Sequence, residues 1–268
     1  MGCQLTNKVI FLQDSGLRSM AERLSVQESI ALVESSDHAL LKESDLWIHF
    51  DAQGVSIQGV GEYATSKVLV DFVGGALSRR SQHKHLHGEM VAKAVGIKKH
   101  PDTKVFDATT GLARDSFILA TLGCRVDMME QSNIIGCLIV DGLRRGREEA
   151  DLAATMTRMH FKQGDSLSYM TLERNNQALR PDVVYLDPMF PDRQKTALAK
   201  KEMRLFQLFC LEAETELDLL LEAAVYFAKR HVVVKRPLKA ALPVDRKPSH
   251  SITGRSCRFD VYVANTEA

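Results

Sequence analysis

From Lys104 onward, short apolar runs alternate with segments whose apolar residues recur at helical spacing. The short β-branched and aromatic runs predict buried strands, and the longer periodic segments predict amphipathic helices. The predicted strands are 105–106, 125–129, 158–161, 183–186 and 231–234, and the predicted helices are 115–122, 133–144, 166–172, 200–209 and 217–229. Strict alternation of this kind is typical of a mostly parallel, doubly wound α/β sheet.

Two further segments predict antiparallel pairing. Residues 249–253 and 259–263 are strand-like, and we expect them to close the sheet as a C-terminal hairpin. Near the other end of the chain, the turn residues 51–54 separate the apolar runs 47–50 and 55–57, which is a hairpin signal. The predicted organisation is a small N-terminal α/β subdomain, residues 1–65, and one larger domain, residues 66–268.

Composition is ordinary for a globular protein and argues against several classes. The 268 residues are 45% hydrophobic and 26% charged, and no apolar run approaches the length of a membrane span. The five cysteines form no C-x-x-C pair, which favours a reducing compartment. The first residues match a loose myristoylation pattern, but the apolar run at 9–12 favours a core strand over a tethered tail. We therefore expect a cytoplasmic protein without a membrane partner.

Basic residues are concentrated in two segments, although the formal net charge is only +1. Residues 78–100 contain six lysines and arginines against one acid, and residues 235–258 contain seven against one. The two segments indicate either a surface that follows nucleic-acid phosphates or two solvated faces, and the sequence favours neither. His83, His85 and His87 alternate in the first segment, but no Cys or carboxylate stands at ligand spacing, so we expect no metal site.

Acidic and polar residues follow four successive predicted strands. Asp107 ends the first strand and Glu130 ends the second, while Asp165 and Ser166 follow the third and Asp187 follows the fourth. The carboxyl ends of parallel strands meet at one rim of a sheet, where α/β proteins bind ligands. We therefore expect these side chains to line one ligand site.

The turn after Asp107 indicates which ligand that site binds. Gly111 permits a tight turn, but the second and third glycines of a pyrophosphate-binding loop are missing. Residues 59–64 do fit the glycine pattern, yet a β-like run at 67–73 follows them instead of the required helix. Glu130 stands where nucleotide-binding folds hold a ribose diol, and acids suit a cationic donor. S-adenosylmethionine therefore fits this rim better than NAD.

The segment 186–191, Leu-Asp-Pro-Met-Phe-Pro, carries the most specific chemistry. Its prolines lack the N–H that a strand needs, so Asp187 and Phe190 stand on a stiff loop at a strand end. Asp187 and the carbonyl of Pro188 would accept the hydrogens of an exocyclic amine, and Phe190 would stack on the base that carries it. We predict these three residues to be catalytic, with a buried core aromatic as the alternative for Phe190.

Several segments together resemble the bacterial 16S rRNA guanine-N2 methyltransferase family RsmJ. They are residues 70–76, 91–98, 107–115, 185–191, 200–204 and 232–237. The resemblance implies a Rossmann-like class I methyltransferase fold, S-adenosylmethionine as the donor, and a guanine of 16S rRNA or of the small ribosomal subunit as the acceptor. By the family pattern, the donor would be held by Arg114, Asp115, Glu130, Gln131, Asp165, Ser166 and Asp187, in addition to Asp107 and Gly111.

The chain departs from the family pattern at a few positions. Ala113 stands where the family has Gly, Gln131 where it has Arg, and Asp165 where it has a small polar residue. The loop after Arg80 is rich in histidine, whereas the family has a basic, glycine-rich loop there. The first 65 residues match only in general layout.

RNA contacts and rival functions complete the prediction. We expect phosphates to be held by Arg79, Arg80, Lys235 and Arg236. One alternative is an amine methyltransferase that acts on a DNA base or on a protein glutamine, because the motif at 187–190 suits those amines too. Another is a non-catalytic RNA-binding or assembly factor that retains the fold. The acids at the strand ends argue against the second alternative.

Overall fold

The computed structural model describes residues 7–36, 39–61, 64–74, 88–188, 217–240, 242 and 246–265. These residues form two compact units. The first unit is the described part of Met1–Asp71 together with Ser132–Arg145, and the second is the described part of Phe72–Gln131, Gly146–Phe190 and Glu214–Ala268. The first unit continues past residue 65 and includes a later segment, so the boundary expected there stays a prediction.

The first unit contains a four-stranded sheet in the order β2-β1-β3-β4. Its elements before residue 60 are β1 (Lys8–Leu12), α1 (Arg18–Glu28), β2 (Ala31–Val33), α2 (Ala39–Glu43), β3 (Leu46–Asp51) and β4 (Gly54–Gly59). β1 is parallel to β2 and β3, whereas β3 and β4 form the predicted antiparallel hairpin. The β-like run at 67–73 is not a strand, because its described pairing is one bridge between Val68 and Ile57.

The second unit contains a seven-stranded sheet in the order β10-β11-β9-β8-β5-β6-β7. Its strands are β5 (Lys104–Asp107), β6 (Arg125–Glu130), β7 (Met159–Gln163), β8 (Val183–Leu186), β9 (His231–Pro237), β10 (His250–Thr253) and β11 (Cys257–Val263). The pairs among β5 to β9 are parallel, and β11 is antiparallel to both β9 and β10. The predicted doubly wound sheet and its C-terminal hairpin are confirmed.

The helices from residue 88 onward follow the predicted alternation. They are α3 (Met90–Val95), α4 (Arg114–Thr121), α5 (Asn133–Glu148), α6 (Ala153–Met156), α7 (Ser166–Glu173) and α8 (Leu217–Phe227). The predicted helix at 200–209 lies outside the described residues. None of the helices in the described part of the chain has the length and apolar character needed to cross a membrane.

The strand order reverses beside β5, and this reversal positions a ligand crevice. From β5 the chain continues to β6 and β7 on one side, and then it returns to β8 and β9 on the other. In an open parallel sheet, ligands bind at such a switch point, outside the carboxyl ends of the two central strands. Asp107 ends β5 and Asp187 immediately follows β8, so both residues lie at this end of the sheet.

The core beneath the crevice is closely packed. All four residues of β8 are at most 1% exposed, as expected for a parallel strand that is covered on both faces. The rings of Phe106, Tyr169 and Phe227 contact one another, with centroid distances between 5.5 and 5.9 Å. Packing of this kind holds the strand ends, and therefore the residues at the rim, at fixed positions.

Candidate active site at the carboxyl ends of the central strands

Hydrogen bonds join the loop after β5 to the loop after β8. The backbone N–H of Ala108 donates to the carbonyl of Tyr185 at 3.0 Å, and the backbone N–H of Asp187 donates to Thr109 Oγ1 at 2.6 Å. Pro188 comes next and has no N–H with which to extend the ladder. The carboxylate of Asp187 therefore stands on a loop whose backbone is held by the neighbouring turn.

Four side chains beside this loop form one hydrogen-bonded group, the lysine–carboxylate cluster: Asp115, Tyr185, Asp187 and Lys235. Nζ of Lys235, on β9, lies 2.7 Å from Oδ2 of Asp187 and 2.7 Å from Oδ2 of Asp115, in the first turn of α4. The hydroxyl of Tyr185 donates to the same oxygen of Asp115 at 2.6 Å. The side chains of Asp115, Lys235 and Asp187 are 18%, 28% and 38% exposed, so a ligand can reach the cluster from solvent.

Electrostatics fix the protonation states of the cation and the phenol in this cluster. Burial alone would lower the pKa of Lys235, but the charges of Asp115 and Asp187 and the hydrogen bonds to them raise it above its ordinary value. Burial, together with the charges of the same two carboxylates, raises the pKa of the Tyr185 phenol well above its ordinary value. At neutral pH the lysine is charged and the phenol is neutral.

Asp107 is enclosed by protein and is only 2% exposed. Its carboxylate accepts hydrogen bonds from the hydroxyl of Ser116 and from the backbone N–H of Thr109. Burial raises the pKa of Asp107 to about 7, although these two hydrogen bonds lower it, and the charges of Asp115 and Asp187 add to the increase. The sequence predicted Asp107 as a residue of the donor site, whereas the structure gives this carboxyl group hydrogen-bond partners within the protein.

Glu130 lies against the turn that follows β5. Its Oε2 accepts a hydrogen bond from the backbone N–H of Gly111 at 3.0 Å, and Thr110 Oγ1 donates to the carbonyl of Met129 at 3.0 Å. Gly111 has a φ of +52°, and a Cβ there would meet no atom closer than 4.0 Å. The left-handed backbone at this position favours glycine, and the space beside it is open to a ligand.

Ala113, one of the departures from the predicted family pattern, stands at the start of α4. Ala113 precedes the helix with a φ of 54°, in the left-handed region, and it is 0% exposed. That backbone conformation favours glycine, which is the residue that the family resemblance predicts at this position. Arg114 then begins the helix with an exposed side chain, and Asp115 follows in the lysine–carboxylate cluster.

The start of α7 has side-chain hydrogen bonds of its own. The carboxylate of Asp165 accepts from the backbone N–H groups of Leu167 and Ser168, which makes it the N-cap of the helix. The buried hydroxyl of Ser166 donates to the carbonyl of Ala108 at 2.7 Å. Both residues lie at the predicted rim, and both contribute to the structure of the loops there.

The remaining predicted site residues are less central. Gln131 is exposed, and its backbone carbonyl accepts a hydrogen bond from Gln163 Nε2 at 2.8 Å. Arg236, expected to hold an RNA phosphate, is 3% exposed with its Nε 3.4 Å from Oδ2 of Asp260, so its burial conflicts with that role. Outside the described residues lie Arg79, Arg80, His83, His85, His87 and Phe190. Within the described part of the chain, no group of three or more His, Cys, Asp or Glu side chains could hold a metal ion.

Comparisons with known proteins identify the family. Residues 31–264 match the model of a family described as "Putative SAM-dependent methyltransferase". The chain is 43% identical to the ribosomal RNA small subunit methyltransferase J of Thioalkalivibrio sulfidiphilus, over 92% of this chain and 94% of that protein. The protein of the same name from Pseudoalteromonas atlantica is 43% identical, over 90% of this chain and 88% of that protein. This chain belongs to the ribosomal RNA small subunit methyltransferase J family.

A solved structure agrees with this assignment. The crystal structure of a SAM-dependent methyltransferase from Neisseria gonorrhoeae matches the chain with a TM-score of 0.70 and 32% identity, and it covers 97% of both chains. The predicted family and the class I methyltransferase fold are confirmed. The chain is a SAM-dependent methyltransferase, and its cofactor is S-adenosylmethionine.

The rim of this methyltransferase J family member suits that cofactor. S-adenosylmethionine carries a sulfonium and an ammonium group and no phosphate. The described rim correspondingly offers Glu130, Asp115 and Asp187, and it has no glycine-rich pyrophosphate loop. The open space at Gly111, next to Glu130, suits the close approach of a ribose.

Sequence reasoning missed three residues of this site and misplaced a fourth. Tyr185 carries a signal that could have identified it, since it is a phenol in an otherwise aliphatic strand and buried tyrosine hydroxyls usually have a partner. Thr109 and Ser116 carry no such signal, because their partners depend on how the turn after β5 folds. Lys235 was expected at an RNA phosphate, whereas the structure places it between two carboxylates.

Proposed function

We propose that this methyltransferase transfers a methyl group to the exocyclic N2 amine of a guanine in 16S rRNA. The observation that carries the proposal is the position of Asp187 and Pro188 at the switch point of the sheet, next to the acidic rim that suits the donor. The names of the relatives, which refer to small-subunit ribosomal RNA, support the class of substrate. The choice of guanine N2 comes from the family resemblance.

The acceptor is activated by hydrogen bonding. The lone pair of the guanine amine is delocalised into the ring, so the amine is a weak nucleophile. Asp187 and the Pro188 carbonyl accept the amine hydrogens and localise the lone pair for in-line attack. S-adenosylmethionine, when bound, supplies the electrophilic methyl group. The new N–C bond forms as the S–C bond breaks, and the amine then releases one proton to Asp187 or to water.

The residues around the rim hold the donor. Glu130 would bind the ribose hydroxyls, since it ends β6 and contacts the turn at Gly111. Asp115 and Asp187 place negative charge where a cationic donor needs it. The resemblance adds Arg114, Gln131, Asp165 and Ser166 to the donor site. Asp107 would stabilise the loops from behind, because its described contacts are with Ser116 and Thr109.

RNA binding is assigned to fewer residues than the sequence predicted. Arg236 is buried against Asp260, and Lys235 is engaged by two carboxylates. Arg79 and Arg80 keep the proposed phosphate contacts, and Phe190 keeps the proposed stacking on a base extruded from its RNA context.

The decisive experiment compares the wild type with Asp187→Asn, which keeps the shape and removes the charge. With labelled donor, we expect methyl transfer to small-subunit rRNA to fall by at least about 10³-fold, while calorimetry shows donor affinity within about tenfold. Near-normal turnover of the variant would contradict the role of Asp187.

The substrate is tested separately with RNA, DNA and protein pools and the labelled donor. Label that enters DNA or protein instead of rRNA would overturn the choice of substrate, and an absence of donor binding would favour an assembly factor. Mass mapping of small-subunit rRNA from cells that lack the protein should show the loss of one N2-methylguanosine. An unchanged set of modified guanosines would refute the guanine assignment.

A further inference from the structure

We propose that Lys235 is a positioning residue for methyl transfer, whose ammonium fixes Asp187 against Asp115 so that Asp187 can orient the acceptor amine. The inference deepens the proposed function and rests on the role given there to Asp187. It replaces the phosphate contact that the sequence suggested for Lys235.

Lys235 joins three separate segments of the site. The ammonium of Lys235 lies 2.7 Å from an oxygen of Asp187 and 2.7 Å from an oxygen of Asp115. The three residues come from β9, from the loop after β8 and from the first turn of α4, so one cation joins three separate segments. Tyr185 adds a hydrogen bond of 2.6 Å to the oxygen of Asp115 that Lys235 contacts. Asp187 is thereby tied to the sheet through its side chain as well as through its backbone.

The ammonium of Lys235 also offsets the repulsion between Asp115 and Asp187. The two carboxylate oxygens that share Nζ can be no farther apart than twice 2.7 Å. Without the cation, two carboxylates at that separation would repel each other, and one of them would bind a proton more readily. A protonated or displaced Asp187 accepts amine hydrogens less well. Lys235 therefore keeps Asp187 both in place and ionised.

Other titratable groups lie close to Lys235 and Asp187. Among the described residues, the titratable groups that interact with Lys235 and Asp187 are Asp107 from β5, Asp115 from α4 and Tyr185 from β8. Of these, the phenol of Tyr185 stays neutral at working pH, because burial and the two carboxylates raise its pKa. A phosphate could reach Nζ only in competition with two carboxylates that are already within hydrogen-bonding distance.

The test compares Lys235→Met and Lys235→Arg with Lys104→Met as the matched control. Lys104 has a side-chain exposure of 26%, against 28% for Lys235, and it also pairs with a carboxylate, Asp127, at 3.6 Å. It stands at the opposite end of β5, so we expect its variant to keep wild-type kinetics. For each protein, kcat, KM for rRNA and the pH profile of kcat are measured. Carbon-13 NMR follows the side-chain carboxyls of the free protein through a pH titration, with the Asp187 signal assigned from Asp187→Asn.

We expect Lys235→Met to lower kcat by about 10²-fold with KM for rRNA within about threefold. The acid limb of the profile and the titration of the Asp187 carboxyl should both move to higher pH, by about 1–3 units. Lys235→Arg retains the charge and should restore the wild-type acid limb.

Different results would overturn the inference. A rise in KM and a weaker salt dependence of RNA binding, with kcat and the acid limb unchanged, would make Lys235 a phosphate contact. A lower melting temperature without a shift of the acid limb would make it a structural residue. The NMR titration needs neither donor nor RNA, so it also separates two failures. A shifted titration in a protein that does not methylate rRNA overturns only the proposed substrate, whereas an unshifted titration overturns the role of Lys235.

Discussion

Lys235 and Arg236 are neighbours in β9, yet they lie in two different charge environments. Lys235 contacts Asp115 and Asp187 at the exposed rim of the sheet. Arg236 is 3% exposed and lies against Asp260 of β11. Successive side chains of a strand point to opposite faces, so two adjacent cations in a strand cannot form one patch. This alternation is why the pair does not act as the joint phosphate contact that the sequence suggested.

The two environments also differ in charge balance. At the rim, two carboxylates surround one ammonium. In the arginine–aspartate cluster, which we define as Arg236, Arg258 and Asp260, two guanidinium groups surround one carboxylate that is 0% exposed. A partly exposed group with an excess of acid can bind a cationic ligand, whereas the buried cluster joins the C-terminal hairpin to β9. Changes at the rim should therefore alter catalysis, and changes in the buried cluster should alter stability.

The largest effect is expected for Asp260→Ala. The substitution leaves the buried Arg236 and the partly buried Arg258 without their shared carboxylate, and it also removes the acceptor of the 2.6 Å hydrogen bond from Ser251. Breaking a buried pair by removing one partner costs about 3–5 kcal/mol of the free energy of unfolding. Urea denaturation measures this loss, and donor affinity of the folded variant should stay at the wild-type value.

Asp127→Ala provides the control for that measurement. Asp127 lies 3.6 Å from Lys104 and 3.6 Å from Arg125, whose side chain is 61% exposed. Solvent-exposed pairs contribute at most about 1 kcal/mol. If Asp260→Ala costs no more than Asp127→Ala, the buried cluster does not stabilise the hairpin as we infer.

The same contrast shows how far the sequence could lead. Short buried strands with acids at their ends predict the sheet, the rim and the position of Asp187, because these features depend on local pattern and on the rules of parallel sheets. That Lys235 and Arg236 lie on opposite faces follows from the strand itself, but the burial of Arg236 against Asp260 depends on the pairing of β9 with β11, which no local pattern specifies. The burial of Asp107 likewise depends on Ser116, a helix residue whose direction no local pattern specifies.

The next effect in size is the pH dependence of stability that Asp107 causes near the rim. The pKa of Asp107 is raised from 3.8 to about 7 in the folded protein, first by burial and then by the charges of Asp115 and Asp187. The stability that proton binding contributes is fully present below about pH 4 and is lost as the pH rises through about 7. Asp107→Asn removes this dependence. As the pH rises through that interval, the free energy of unfolding of the variant should therefore increase relative to that of the wild type, by up to about 4 kcal/mol.

Urea unfolding of both proteins from pH 4 to pH 8 checks this expectation, since taking the difference between the two proteins cancels the other titrating groups. If the difference in the free energy of unfolding stays constant across the range, Asp107 is ionised throughout. The folded protein then does not bind the proton that we predict at Asp107.

A smaller effect is expected for Arg236→Met, which tests the neighbour of Lys235 directly. Asp260 keeps the hydrogen bonds from Ser251 and from Arg258, whose Nε lies 3.0 Å away. Because the carboxylate stays paired with Arg258, the loss should be about 2 kcal/mol of the free energy of unfolding, less than the cost of breaking a buried ion pair outright. Donor affinity by calorimetry should be unchanged. A loss of donor affinity without a loss of stability would place Arg236 at the rim and end the distinction between the two neighbours.

The smallest effect concerns the turn that leads to Asp115. Gly111 and Ala113 both have positive φ, of 52° and 54°. Gly111→Ala adds a methyl group that meets no close atom, so it should cost only the left-handed backbone strain, about 1 kcal/mol. Ala113→Gly relieves similar strain but removes a buried methyl group worth about 0.8 kcal/mol, so its net effect should be close to zero. Thermal unfolding of both variants measures the two values. A large loss of stability in Ala113→Gly would show that the packing of its methyl group at the start of α4 outweighs the backbone strain. That result would explain why this chain tolerates alanine where the family resemblance predicts glycine.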